Sequence, residues 1–273
     1  MAVSISDKDF ERLVTYVHDN YGIDLSRKRV MIEGRLGNLL QNRGFSDYTS
    51  FLDMVFADKT GSEVVNLMTK LTTNHTYFLR EPEHYDFMRN VFLPEIKEKK
   101  KDKKVIYLWS AGCSSGEESY TNVIEMLEFF GMEASKWDTK ILATDISVKV
   151  LAKAQQAVYH IDAMKNLSPE VVKKYFTSVG NDCYKVNEEV RKQVAFKVFN
   201  LMDPIPYKKN PFDLIFCRNV MIYFDNETKV KLVNRFYDVL APGGYLFIGH
   251  AESIPRDATN FKYIKPAIYQ KPF

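Results

Sequence analysis

Apolar residues in the first 75 positions recur every three or four residues, the spacing of helices that bury one face. Phe10, Leu13, Val14 and Val17 follow Ser6, whose hydroxyl can cap a first turn, and Gly22 ends the run. The pattern returns in Ile32, Leu36, Leu39 and Leu40 between Ser26, which can cap this helix, and Gly44, which can end it. It returns again in Tyr48, Phe51, Leu52 and Val55 after Ser46, and in Val65, Leu67, Met68 and Leu71 after Ser62. Four helices without a convincing strand predict an all-α domain over residues 1–75.

Downstream the pattern changes to short apolar runs separated by helical ones. Residues 105–109, 140–145, 196–199, 212–217 and 245–249 have the length and the β-branched or aromatic content of buried strands. Helical spacing fills 117–130, 148–157, 171–176 and 226–240. This alternation predicts an α/β domain over 105–273, with a mostly parallel sheet, flanking helices and one reversed strand at its edge. Residues 262–264 and 267–270, around Lys265-Pro266, predict a closing hairpin. Between 179 and 198 apolar and charged residues mix around Gly180-Asn181-Asp182, which predicts a small hairpin-like β insertion. Residues 76–104 form the connection: Pro82 suits the first turn of a helix over 83–92, and the lysine-rich stretch 97–104 reads as a solvated helix end and turn.

Charge and cysteine content exclude several classes. With 38 basic and 35 acidic residues the formal charge is +3, too balanced for a dedicated nucleic-acid binder. Three cysteines without metal-type spacing support neither a disulfide framework nor a zinc site, so no metal is expected. The N-terminus carries Asp7, Lys8, Asp9, Glu11 and Arg12 where a signal peptide needs apolar residues, and no run approaches the roughly 18 apolar residues of a membrane span. A cytoplasmic protein is expected.

Candidate chemistry starts at the first strand. The small-residue turn 110–116, with Gly112 and Gly116, lets a ligand approach the backbone, and Glu117 and Glu118 then open a helix. It lacks the Lys-Ser/Thr of a phosphate loop and the G-x-G-x-x-G of a dinucleotide site. Asp145 ends the second strand, where a carboxylate can accept from both ribose hydroxyls or can cap the next helix. Arg218 and Asn219 directly follow the strand 212–217, at a chain position where open parallel sheets collect ligand-binding groups. In the second helix Lys28 and Arg35 stand seven residues apart on one face, either a solvated face or a docking surface for an acidic helix.

Five blocks in order, N-H-T-Y-F-L-R-E, W-S-A-G-C-S-S-G-E-E, A-T-D-I-S, F-D-L-I-F-C-R-N-V-M-I-Y-F-D and P-G-G-Y-L-F-I-G-H-A-E-S, resemble the CheR family of chemotaxis receptor methyltransferases. The resemblance covers essentially the whole chain. It implies a class I S-adenosylmethionine-dependent methyltransferase that esterifies glutamates on the cytoplasmic helices of chemoreceptors, and a monomer that does not insert into the membrane. It also implies cofactor contacts at Asn74, Thr76, Arg80, Glu118, Asp145, Asn200, Leu201, Arg218 and Asn219, and positioning of the reacting groups by Arg80 and Tyr223. Ser119 stands where many members have Pro, and Ala251 where many have Ser. Family members that grip a receptor tail peptide carry extra glycines in the β insertion, and this insertion has one, Gly180. Methylation without a tail tether is therefore expected.

Overall fold

A computed structural model describes residues 4–72, 75–206 and 210–273; Asn74 lies outside them. The chain forms two compact units, Met1–His75 with Tyr223–Lys229, and Thr76–Ile222 with Val230–Phe273.

The first unit is all-helical, with α1 Asp7–Tyr21, α2 Arg29–Asn42, α3 Tyr48–Ala57 and α4 Ser62–Leu71. Its core joins the predicted apolar stripes, among them Leu13, Val17, Ile32, Leu36, Leu40, Phe51, Leu52 and Leu67. Ser6 caps α1 as expected, accepting the Asp9 N–H, and Gly22 closes it in the left-handed conformation. Two caps differ. Ser26 is drawn to Asp24, which accepts both its N–H and its hydroxyl, so α2 begins only at Arg29. Asp47 rather than Ser46 caps α3, its carboxylate accepting from Ser50 N–H at 2.8 Å. The return segment completes the unit: Ile23 bridges Phe224, Asp24 N–H donates to the Tyr223 carbonyl at 2.8 Å, and His18 Nε2 lies 2.6 Å from Asp225 Oδ2.

The second unit enters through α5 Pro82–Phe87, a π-helical turn Met88–Phe92 and α6 Leu93–Lys99. Alternation follows: β1 Leu108–Ala111, α7 Glu117–Phe130, β2 Ile141–Asp145, α8 Val148–Gln156, β3 Val158–His160, α9 Pro169–Tyr175, β4 Phe176–Gly180, β5 Cys183–Val186, α10 Glu188–Arg191, β6 Val194–Val198, β7 Phe212–Cys217, α11 Asn226–Val239, β8 Leu240–Ile248, β9 Lys262–Lys265 and β10 Ile268–Gln270. Seven strands form one sheet in the order β6-β2-β1-β7-β8-β10-β9. The first five are parallel, and β10 pairs antiparallel with β8 and with β9. The reversed strand is thus one place in from the edge, because the last hairpin folds β9 outward as the edge strand.

The β insertion has other boundaries than the sequence suggests. Gly180 to Cys183 is the expected hairpin turn, but the small sheet is β3-β5-β4 and ends at Val186. Residues 194–198 instead form β6, which extends the main sheet alongside β2. As an edge strand β6 has one paired side and exposes Ala195, Lys197 and Val198, so only its end, from Phe196 on, reads as a strand in the sequence.

At the centre of the sheet β1 and β7 are buried throughout. Trp109, fully buried, donates its indole N–H to Thr144 Oγ1 at 2.9 Å, which satisfies the one polar atom such a side chain brings into a core.

Candidate functional site

The carboxyl ends of β1, β2 and β7 carry the chemistry, as an open parallel sheet requires. After β1 the chain turns through Gly112 and Gly116, at φ of +81° and +96°. A Cβ on Gly112 would meet Val220 Cγ2 at 2.5 Å, and one on Gly116 would meet Ala154 Cβ at 2.9 Å. Both glycines therefore serve close packing inside the protein, a reason distinct from ligand approach.

Arg218 follows β7 and is buried, 6% exposed. Its Nε and Nη2 donate to Glu81 Oε2 at 3.2 and 3.0 Å, and Nη1 donates to Glu118 Oε2 at 3.1 Å and to the Tyr85 hydroxyl at 3.4 Å. Nη2 also donates to the Arg80 carbonyl. Every N–H of the guanidinium thus has an acceptor within the protein. Arg218 is placed at the site the sequence indicates, yet its side chain organises two carboxylates and has no N–H left over for a ligand.

Those carboxylates respond differently. Burial works to raise Glu81, but Arg218 and the N–H donors of His250 and Asn219 outweigh it and hold it below the usual range. Glu118 is pushed up by burial, offset only in part by Arg218 and by the Ser110 hydroxyl at 2.7 Å. Two carboxylates around one guanidinium leave the cluster one negative charge in excess when all are ionised. Such a site suits a ligand bearing its own positive charge.

Asp145 closes β2. Its Oδ2 accepts from Ser114 N–H and its Oδ1 from Ser147 N–H, each at 2.9 Å, so it ties the turn after β1 to the start of α8. Ser147, not Asp145, caps that helix. Burial raises the Asp145 pKa, against the backbone N–H groups of Ser147, Ser114 and Ile146. The Asp145 carbonyl accepts from Phe199 N–H at 3.0 Å, which brings Asn200 and buried Leu201 to the neighbouring strand end. Asn200 Oδ1 accepts from Met202 N–H, and Arg235 holds the Leu201 carbonyl at 2.7 Å.

Thr76 is half-buried in the stretch that enters the second unit. The Arg80 guanidinium stands 5.9 Å from the Tyr77 ring centroid. Tyr223 groups with the helical unit, and Lys28 is exposed. Arg35 donates to the Leu71 carbonyl at 2.8 Å, at the C-terminus of α4. Arg29 pairs with Asp7 and Arg43 with Glu63, so much of the basic content of this region has partners within its own unit.

Sequence reasoning singled out neither Glu81, Tyr85 nor Glu252. Glu81 and Glu252 stand inside the quoted blocks, and only their hydrogen bonds distinguish them from other acids. Glu81, His84 and His250 bring one ligand atom each within 4.8 Å of one another. Both Glu81 oxygens already accept N–H groups, and burial, then Arg218, pushes His84 down.

Leu79, Glu81, Ser114 and Asn219 all have φ between 50° and 59°. Left-handed backbone at non-glycine residues costs of order 1–3 kcal/mol each and persists where surrounding contacts over-determine it. These four, of nine such residues among those described, lie in the segments that build the site.

Comparison with known proteins agrees with this architecture. Residues 74–269 match the family model described as CheR methyltransferase, SAM binding domain, and residues 8–72 match the CheR methyltransferase, all-alpha domain. A chemotaxis protein methyltransferase of Borreliella burgdorferi is 42% identical over 273 residues, covering 98% of this chain and 96% of that one. One from Salmonella typhimurium is 34% identical, covering 98% and 91%. A probable chemotaxis protein methyltransferase of Rhizobium etli is also 34% identical, covering 89% and 91%. With both domains matched in order and relatives similar along nearly their whole length, the chain belongs to the CheR methyltransferase family.

Proposed function

We propose that the protein transfers the methyl group of S-adenosylmethionine to glutamate carboxylates on the cytoplasmic helices of chemoreceptors, giving glutamyl methyl esters. The observation that carries this reading is the carboxylate-rich cluster of Glu81 and Glu118 around the fully engaged Arg218, beside Asp145. This donor set fits the cofactor: the carboxylates would offset its sulfonium and ammonium charges, and Asp145 would accept from the ribose hydroxyls.

When bound, S-adenosylmethionine supplies an electrophilic methyl group on a positively charged sulfur. A glutamate with an ordinary pKa of about 4.3 is ionised at neutral pH, so no side chain has to remove a proton from it. The protein's work is alignment and exclusion of water. Asp145 and Glu118 orient the cofactor, joined by Asn74, Thr76, Arg80, Asn200, Leu201 and Asn219. Arg80 and Tyr223 position the reacting groups, and the exposed Lys28, with Arg35, meets the receptor. The protein works in the cytoplasm as a monomer, without nucleic acid and without a receptor tail tether.

Incubation with labelled S-adenosylmethionine and a receptor cytoplasmic fragment tests the reading, because glutamyl esters are alkali-labile. Volatile methanol released by mild alkali, lost when receptor glutamates become Gln and unchanged on tail truncation, is expected. Alkali-stable label on a different acceptor would point to another methyltransferase. Cofactor binding without label transfer would mark a silent binding module, and loss of transfer on tail truncation would overturn the tether-free reading alone.

A further inference from the structure

Glu252, after the end of β8, has a role that the cofactor contacts do not cover. Its Oε2 accepts from Asn219 N–H at 3.0 Å and from Gly249 N–H at 2.5 Å, and its Oε1 accepts from Ile222 N–H at 3.1 Å. One carboxylate thus fastens the segment 219–222, which leaves β7, to the segment leaving β8. Asn219 is the strained point of that segment, at φ of +59°, and its side-chain amide donates to Glu81 Oε1 at 3.3 Å. The Glu252 side chain and the Glu81–Arg218 cluster therefore hold Asn219 from two directions. Gly249 completes the arrangement: a Cβ there would stand 2.5 Å from Asn219 Nδ2, 2.9 Å from Asn219 N and 2.9 Å from Glu252 Oε2.

We propose that Glu252 is a positioning residue for the cofactor site: with Gly249 it fixes the left-handed backbone of Asn219 and so places the segment that follows β7. The proposal rests on the methyl-transfer reading for its cofactor, but not for its substrate. A carboxylate is required because N–H groups from both segments converge on its two oxygens. The amide of Gln replaces one acceptor by a donor and leaves at least one N–H opposed.

The test uses the full chain with Glu252→Gln, Gly249→Ala and the double variant. Calorimetry with S-adenosylhomocysteine, thermal melting and initial rates on a receptor fragment are the readouts. Each single change is expected to weaken S-adenosylhomocysteine binding roughly tenfold and to raise KM for S-adenosylmethionine with KM for receptor unchanged. The double variant should be little worse than either single one, because both act on the same segment. Binding within about twofold of wild type in a folded Glu252→Gln protein would overturn the proposal whatever its melting temperature. Should that variant fail to fold, the same outcome in Gly249→Ala overturns it. Wild-type protein that binds S-adenosylhomocysteine but leaves receptors unmethylated would refute the substrate while the binding comparison still decides the role of Glu252.

Discussion

Two histidines show how individual residues set opposite pH responses. His18 is raised by its hydrogen bond to Asp225 and then by Asp19, so its stabilisation is complete below the unfolded value of about 6.5 and is lost as pH rises through the folded one. His84 is pushed down to about 2 by burial and by Arg218. As pH falls below about 6.5 the unfolded chain takes up a proton there that the folded protein refuses, which costs stability in acid. Replacing His18 by Gln should therefore lower the melting temperature below about pH 6 and leave it near wild type above about pH 8. With the His18 side chain 45% exposed, the effect stays under about 1 kcal/mol. A gap that widened with rising pH would refute the His18–Asp225 contribution. At this scale the sequence was legible in placing Asp145 and Arg218 at the ends of β2 and β7. It was silent on Glu81 and Glu252, because their roles are made by hydrogen bonds spanning 137 and 33 positions, for which no local pattern exists.

At the scale of elements, the turn between β1 and α7 joins backbone conformation to packing. Gly112 is left-handed and its missing Cβ is the space that Val220 fills. Gly112→Ala should lower stability by about 1–3 kcal/mol, measured by urea unfolding, from crowding and backbone strain together. It should also weaken cofactor binding, since Val220 belongs to the segment that follows Asn219. An unchanged unfolding midpoint would show that Val220 yields at no cost. Helices with clear stripes and caps were readable from the sequence, and so were strands buried on both faces. The three-residue strand β3 was not, being too short for a period, and the edge strand β6 was read only from Phe196 on, because it mixes exposed with half-buried positions. Caps failed where an acid nearby competed, as Asp24 does for Ser26.

For the molecule as a whole, the receptor-docking idea divides between two residues of unequal employment. Arg35 is tied to the carbonyl end of α4, so reversing its charge disturbs the helical unit as well as any partner. Lys28 is exposed, and Lys28→Glu is the cleaner variant. It should raise KM for receptor without changing S-adenosylmethionine affinity, and salt should blunt the difference by screening. Receptor methylation indifferent to both would return Lys28 to a merely solvated face. The return segment Tyr223–Lys229 has another consequence, one of timing during synthesis. Domains generally fold as units in the order they leave the ribosome. Here the first unit lacks the partners of Ile23, Asp24 and His18 until residues 223–225 have been made, so the earliest part of the chain is among the last to be completed. A nascent chain stalled at residue 200 carries a helical bundle still missing one seam, and a gene fragment cut after residue 75 encodes the same unfinished object.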